Sequence, residues 1–281
     1  MSEAGRICPP PAEAEGPRMA VLMACYNRAE TTLRGLESLF SAQPSDVALD
    51  VFLVDDASPD GTAARVRAAY PQVHVIDGPG NLFWCRGMRR AWDEALVARP
   101  SYDYYLWFND DAILKPGAIA GLLADCAAQG GLVVGKFSSD ATERDVSYGF
   151  DGNGAWMNGN LVLVPRRVFE AVGPIYDGYR HAYGDHDYGL AARRKGFPVR
   201  LSSAYCGVCP RQPERYLSME GRPLRERMRI LFDTKGVCLH DAVLFRRRNW
   251  GLLMAGACVV HLVLKALFGG RSGCLKEIKV L

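Results

Sequence analysis

The 281-residue sequence has no G-x-G-x-x-G after its first apolar run and no G-x-x-x-x-G-K-[ST]. Dinucleotide and P-loop readings therefore lose their main support. H-E-x-x-H and G-x-S-x-G are also absent, which weakens zinc peptidase and serine hydrolase readings. No internal repeat and no low-complexity tract is present. The nine cysteines, an odd number, are scattered rather than set out as a disulfide framework. Cys206 and Cys209 have the C-x-x-C spacing, with Cys238 and His240 downstream, but no second pair completes a zinc site, and they read as incidental cysteines. Residues 1–19 are polar, acidic and proline-bearing without an apolar h-region, so no secretory signal is expected and a reducing cytosolic setting fits.

What is present is ordinary globular material. Hydrophobic residues make up 49% and charged residues 23%, enough for one large domain, or one domain with an appendage. The net charge of +3 conceals an asymmetry. Residues 1–210 carry 20 Lys and Arg against 25 Asp and Glu, whereas residues 211–281 carry 14 against 6, a net +8. A basic terminal quarter meets anionic lipid, nucleic acid or a phosphorylated ligand, or else forms solvated helix faces. Arg246-Arg247-Arg248 precedes an apolar stretch, residues 250–264, that is short of the roughly 20 residues of a span. Interfacial anchoring, a packed helix and a true span all remain open for it. The expected division is a flexible leader at 1–18, a principal domain at 19–210, and a basic helical region at 211–281 that associates with a membrane.

Along the principal domain, apolar runs at 20–25, 51–54 and 104–108 read as buried strands, and 73–77 is again strand-like. Helical spacing appears at 30–40, 62–70 and 85–98, and Pro116 suits the first turn of a helix running to about Gln129. After residue 131 the pattern loosens, with a strand at 161–164 and helices at 166–172 and 187–195. Strands alternating with helices imply an α/β, doubly wound, mostly parallel sheet. In such sheets ligands sit beyond the carboxyl ends of the strands. Tyr26-Asn27, Asp55-Asp56 and Asn109-Asp110-Asp111 all fall at such ends. Adjacent carboxylates repel unless a cation or ligand compensates, so Asn109-Asp110-Asp111 is either a site for Mg²⁺ or Mn²⁺ or a solvated turn that caps a helix. Asp55-Asp56 carries the same ambiguity, and the Tyr26 ring could stack on a base or simply pack. Asp185-His186-Asp187 is a further acidic pair.

Taken in order, these segments resemble family 2 glycosyltransferases. The N-terminal motifs are Val21-Leu22-Met23-Ala24-Cys25-Tyr26-Asn27-Arg28, Val54-Asp55-Asp56-Ala57-Ser58 and Asn109-Asp110-Asp111. Met157-Asn158-Gly159-Asn160-Leu161-Val162-Leu163-Val164-Pro165 with Val172-Gly173 is similar to the acceptor-side segment. Gly184-Asp185-His186-Asp187-Tyr188-Gly189-Leu190 with Arg193 is similar to the acidic catalytic motif. Gly80-Asn81-Leu82-Phe83-Trp84-Cys85-Arg86-Gly87-Met88 resembles a bacterial rhamnosyltransferase-like subgroup.

The resemblance implies a GT-A fold and inverting, metal-dependent transfer of a hexose from a nucleotide-diphosphate donor to an acceptor hydroxyl. It assigns Cys25, Tyr26, Asn27, Asp56, Asn81, Trp84 and Asp110 to the donor and Asp111 to a Mn²⁺ or Mg²⁺ ion. Asp185 becomes the general base, and Trp156, Asn158 and Asp187 lie on the acceptor side. The expected acceptor is a saccharide or lipid-linked saccharide in surface polysaccharide or glycolipid assembly. The expected location is cytoplasmic, peripheral on the inner face of the cell membrane, with no nucleic acid partner. Two positions depart from the family pattern: Asn109 stands where many relatives have aspartate, and Gly184 where glutamate is usual. A sugar-phosphate nucleotidyltransferase would want a Gly/Arg-rich phosphate loop and a signature lysine near the N-terminus, and neither is visible. A non-catalytic nucleotide-sugar binder would keep Tyr26 and Asp56 without needing Asp185.

Overall fold

The computed structural model describes residues 16–144, 157–210 and 217–268. Its centre is β1 (Arg18–Cys25), in which residues 19–23 are apolar without a break and buried on both faces, the pattern of a strand covered by helices on each side. β2 (Ala48–Asp55) and β4 (Tyr104–Phe108) flank it in parallel, and β3 (His74–Asp77) extends the sheet parallel to β2. The returning helices are α1 (Ala29–Ser41), α2 (Thr62–Ala69) and α3 (Phe83–Ala98). Beyond β4 the sheet becomes mixed. β7 (Leu161–Pro165) runs antiparallel to β4 and to β6 (Leu132–Ser138), β8 (Val199–Val208) lies parallel to β6, and β5 (Ile113–Leu114) closes the edge antiparallel to β8. The order is β3-β2-β1-β4-β7-β6-β8-β5. The doubly wound α/β expectation therefore holds, with every antiparallel pairing beyond β4.

Side chains alternate across a strand, and that alternation divides the core. Met19, Val21 and Met23 pack with Leu36 and Leu39 of α1 and with Ile119 and Leu122 of α4 (Ala118–Gln129). Ala20 and Leu22 face the other way, toward Met88 and Trp92 of α3, Val168 of α5 (Arg166–Val172) and Ala192 of α6 (Gly184–Arg194). Trp92 is fully buried, stacked on Phe169 and edge-on to Trp107. Truncating a side chain of this kind costs about 3–5 kcal/mol. With β2 on one side of β1 and β4 on the other, the chain reverses its winding between β1 and β4. Their carboxyl ends form the switch point at which such sheets bind ligands.

Three helices follow: α7 (Leu224–Phe232), α8 (Leu239–Trp250) and α9 (Leu252–Phe268). Met219, Ile230, Leu231 and Ala266 form a small core among them. α8 docks on the body through Phe245, which is fully buried, packs with Cys85 and Tyr179, and stacks on Tyr183 at 4.9 Å. The apolar stretch at 250–264 is not one helix. Trp250 closes α8, and Gly251, at φ 88°, turns the chain into α9, a conformation that glycine adopts at little cost. Among the described residues no helix is long and apolar enough to cross a membrane. Leu253, Val260, Leu264 and Leu267 form an exposed apolar stripe along α9.

Candidate active site

The loop after β1 places Arg28 at the start of α1. Its Nη1 donates to Asp110 Oδ1 at 2.9 Å and to Asp111 Oδ2 at 3.1 Å. Thr32, one turn along α1, donates its hydroxyl to Asp110 Oδ2 at 3.1 Å. One guanidinium thus offsets the repulsion between two neighbouring carboxylates. Burial opposes the charge on Arg28, but Asp110 and Asp111 outweigh it and hold the pKa above the usual arginine value. The alternative of a helix-capping turn is not what forms, because α4 begins after Gly117 with no side-chain cap. Asp110 is buried, and Asp111 is the more open of the two. Among the described residues no three His, Cys, Asp or Glu side chains gather into a metal cage. Mg²⁺ is commonly held by one or two carboxylates with phosphate and water oxygens completing its shell, and this donor set fits an ion held in that way.

The loop after β2 is built differently. Asp55 accepts bonds from the backbone N–H and hydroxyl of Ser58, and the Ser58 oxygen accepts the Asn27 N–H at 2.8 Å. Asp56 receives the backbone N–H groups of Gly80 at 2.7 Å, Leu82 at 2.8 Å and Phe83 at 3.1 Å. Asp56 therefore shapes the turn that presents exposed Asn81 and, beyond it, Trp84. Cys25 lies in the floor of the site, its thiol pKa pushed up by burial and then by Asp110 and Asp55. The Tyr26 ring is 47% exposed at the mouth. Asn27, Ala57, Phe83 and Tyr183 all adopt left-handed backbone conformations around the site, which costs roughly 1–2 kcal/mol at Ala57, Phe83 and Tyr183. Strain of this kind gathers at functional sites.

On the other side, Asp185 lies in the first turn of α6. Its Oδ2 accepts the Gly159 N–H at 3.0 Å and its Oδ1 accepts the His186 N–H at 2.8 Å. Asp187 points elsewhere: it is buried and accepts bonds from Arg248 and, at 2.7 Å, from Asn249, both on α8. Asn158 folds back on its own segment, its Oδ1 accepting the Asn160 N–H at 2.8 Å. Trp156 lies outside the described residues. A hydrogen-bonded path connects the two sides. Trp84 Nε1 donates to Asn109 Oδ1 at 2.7 Å, and Asn109 Nδ2 donates to Asn160 Oδ1 at 2.5 Å. An indole only donates, so asparagine at 109 can accept on one side and donate on the other, which an aspartate carboxylate could not do.

The absence of glutamate at 184 also has a steric reason. A Cβ on Gly184 would lie 2.6 Å from Cys85 Sγ and 3.1 Å from Ile175 Cδ1. At Gly159 a Cβ would meet Trp84 Cη2 at 2.5 Å and Asp185 Cβ at 3.2 Å, so indole, glycine and carboxylate are in close packing. Cys206 and Cys209 are both buried in the core.

Several residues of the site carried no role in the sequence reading. Arg28 ends the motif at 21–28, and Thr32 lies i+4 from it on the same helix face. Asp241 had no signal at all. Fully buried, it accepts the backbone N–H groups of Arg180, His181 and Ala182 at 2.9–3.1 Å, along with a contact to His240 Nδ1. Burial raises its pKa, but these bonds together hold it below the usual aspartate value. α8 thus fixes the loop that leads into Asp185.

Residues 20–149 match the model described as Glycosyl transferase family 2. No curated protein matches the sequence. In fold, the chain is similar to the mannosyltransferase PcManGT from Pyrobaculum calidifontis, solved with GDP-Man and Mn²⁺. That alignment has a TM-score of 0.56 and 18% identity, over 92% of this chain and 77% of that one. It is also similar to Staphylococcus aureus TarS 1-349 with UDP-GlcNAc, with a TM-score of 0.57 and 14% identity, over 89% of this chain and 81% of that one. Residues 20–149 thus match the glycosyl transferase family 2 model, and the described residues have the GT-A fold of these glycosyltransferases.

Proposed function

We propose that this protein transfers a hexose, with inversion, from a nucleotide-diphosphate donor to an acceptor hydroxyl, with Asp185 as base. The observation that carries this reading is the path from Trp84 through Asn109 to Asn160, next to the Gly159 N–H that holds Asp185. The donor class is carried over from the fold relatives solved with GDP-Man and UDP-GlcNAc. Tyr26 would stack on the base at the mouth of β1, and the diphosphate would lie toward Arg28, Asp110 and Asp111. A Mn²⁺ or Mg²⁺ ion held by Asp111 would act as a Lewis acid for the charge that develops on the departing diphosphate. Asp185 accepts the acceptor proton while the acceptor oxygen bonds to the anomeric carbon from the face opposite the breaking bond. That geometry inverts the centre, by the logic of inverting glycoside hydrolysis.

The acceptor class we propose is a saccharide or lipid-linked saccharide of surface polysaccharide or glycolipid assembly, met at the inner face of the cell membrane. The exposed α9 stripe, with Arg247 and Lys265 also exposed on α8 and α9, favours an anionic bilayer as the surface α9 lies on.

The test is release of nucleoside diphosphate from a panel of UDP-, GDP- and dTDP-sugars offered with saccharide acceptors. Release should require Mn²⁺ or Mg²⁺ and stop with excess chelator. A protein that neither binds nor turns over any nucleotide sugar would refute the reading. Full-length protein should sediment with phosphatidylglycerol vesicles, and Leu253→Asp with Leu264→Asp should release it. Indifference of the unaltered protein to those vesicles would rule out the bilayer.

A further inference from the structure

We propose that Lys235, on the turn between α7 and α8, is a donor-binding residue whose ammonium group contacts the diphosphate of the bound nucleotide. The proposal rests on the glycosyltransferase reading above. It starts from an unexpected neighbour: Lys235 Nζ lies 5.7 Å from the centre of the Tyr26 ring. A side chain from the C-terminal helices thus overlies the mouth of β1, where Tyr26 leads directly into Arg28.

His181 shows that these charges share one region. Burial lowers its pKa first, and Lys235 and Arg28 lower it further against the pull of Asp241 and Asp185. Its ring Nδ1 is buried without a hydrogen-bond partner. Lys235 therefore lies within electrostatic reach of the loop that joins the donor side to the base side.

The charge balance points the same way. Arg28 already serves both Asp110 and Asp111. A nucleoside diphosphate brings further negative charge to this mouth, and an exposed ammonium beside Tyr26 is placed to meet it alongside a divalent ion held by Asp111. Among the described residues no carboxylate pairs with the Lys235 ammonium, and the side chain is exposed. Lysine is a common phosphate-binding residue, acting as a point charge on a flexible stem.

The turn that presents Lys235 is firmly built. Asp233 Oδ1 accepts the Lys235 N–H at 2.8 Å, and the Asp233 carbonyl accepts the N–H groups of Gly236 at 3.0 Å and Cys238 at 3.1 Å. Val237 N–H reaches the Ile230 carbonyl at 3.0 Å. A Cβ on Gly236 would lie 2.3 Å from that same carbonyl oxygen, so only glycine fits. Three residues beyond Cys238, Asp241 fixes α8 to the 180–182 loop.

The experiment measures dissociation constants of the full-length protein for UDP, GDP and dTDP with Mn²⁺. Uridine, guanosine and thymidine serve as phosphate-free controls. Lys235→Ala should weaken binding of the preferred diphosphate by roughly tenfold or more, the range expected for a charge-assisted contact. It should leave the corresponding nucleoside nearly unchanged, and Lys235→Arg should restore most of the loss. An equal loss for nucleoside and diphosphate would overturn the proposal, because Lys235 would then support the Tyr26 ring rather than phosphate. Unchanged diphosphate binding in Lys235→Ala would overturn it too, leaving the glycosyltransferase reading intact. Failure of the unaltered protein to bind any of the three diphosphates would remove that reading and this proposal with it.

Discussion

At Asp110 and Asp111 two carboxylates converge on one guanidinium, Arg28 Nη1 lying 2.9 Å from the first and 3.1 Å from the second. At Asp185 and Asp187 the carboxylates diverge. Asp185 turns to the Gly159 N–H, and Asp187 to Arg248 and Asn249 of α8. The difference comes from local structure. Neighbouring residues in the turn after β4 can aim at a common partner, whereas residues two apart on α6 project about 200° from each other around the helix axis. The first pair can share a cation. The second divides its work, one carboxylate toward the site and the other into the brace that holds it, so it does not form a joint metal site.

The largest effect that tests this contrast is on turnover. Asp185→Asn should lower it by roughly 10²–10⁴-fold, the usual range for a general base, with donor affinity little changed in a binding titration. Asp187→Asn should instead act on stability, lowering the melting temperature by an amount equivalent to about 1–3 kcal/mol. The reverse pattern would exchange the two roles.

Arg28→Met sharpens the other half of the comparison. It leaves Asp110 and Asp111 without their shared cation, and breaking such a pair costs about 3 kcal/mol. Added Mn²⁺ should raise the melting temperature of this variant more than that of the parent. An equal response to Mn²⁺ would mean that the carboxylates do not take a metal in place of the guanidinium.

Next in size is Asp241→Asn, which weakens the acceptor for three backbone N–H groups and should cost about 1.5–3 kcal/mol. The stability from Asp241 is complete above the ordinary aspartate value of 3.8 and is lost as pH falls below it, because the folded-state pKa is depressed. Melting curves between pH 6 and pH 3 should therefore separate parent from variant most at the upper end. The smallest effect expected is that of Gly184→Ala, whose Cβ would press on Cys85 Sγ at 2.6 Å. A loss of about 1–3 kcal/mol should appear on thermal unfolding, and Cys85→Ala in the same chain should relieve most of it.

The same distinction between convergent and dispersed contacts explains what could be read in advance. β1, β2 and β4 are legible because burial on both faces demands unbroken apolar runs, and Tyr26, Asp56 and Asp110 follow as the polar residues that end or follow them. β6 and β8 are not, because their pairing carries register irregularities between Val134 and Phe137. β8 alternates irregularly between buried and exposed positions as a result. Pro116 falls just short of its helix, since Gly117 makes the turn and α4 begins at Ala118. α6 begins at Gly184, before the expected residue 187, so Asp185 sits on the helix rather than ahead of it. The arginines at 246–248 stand in the sequence only as a basic run before an apolar stretch, yet Arg248 lies 3.7 Å over the Tyr176 ring and pairs with Asp187, and Arg246 lies over Tyr183. Only tertiary structure brings those partners together, and sequence spacing carries no trace of it.

The Asp241 contact also has a consequence in time. A ribosome delivers the sheet, the Arg28 cluster and Asp185 well before residue 241 leaves the exit tunnel, and domains commonly begin to fold in that order. Until α8 arrives, the amides of 180–182 lack the carboxylate that gathers them, and Asp187 lacks Arg248. A nascent chain ending near residue 210 would hold nearly every polar group of the candidate site and still leave the loop before Asp185 unset. Competence would come late and abruptly, with the last helices to emerge.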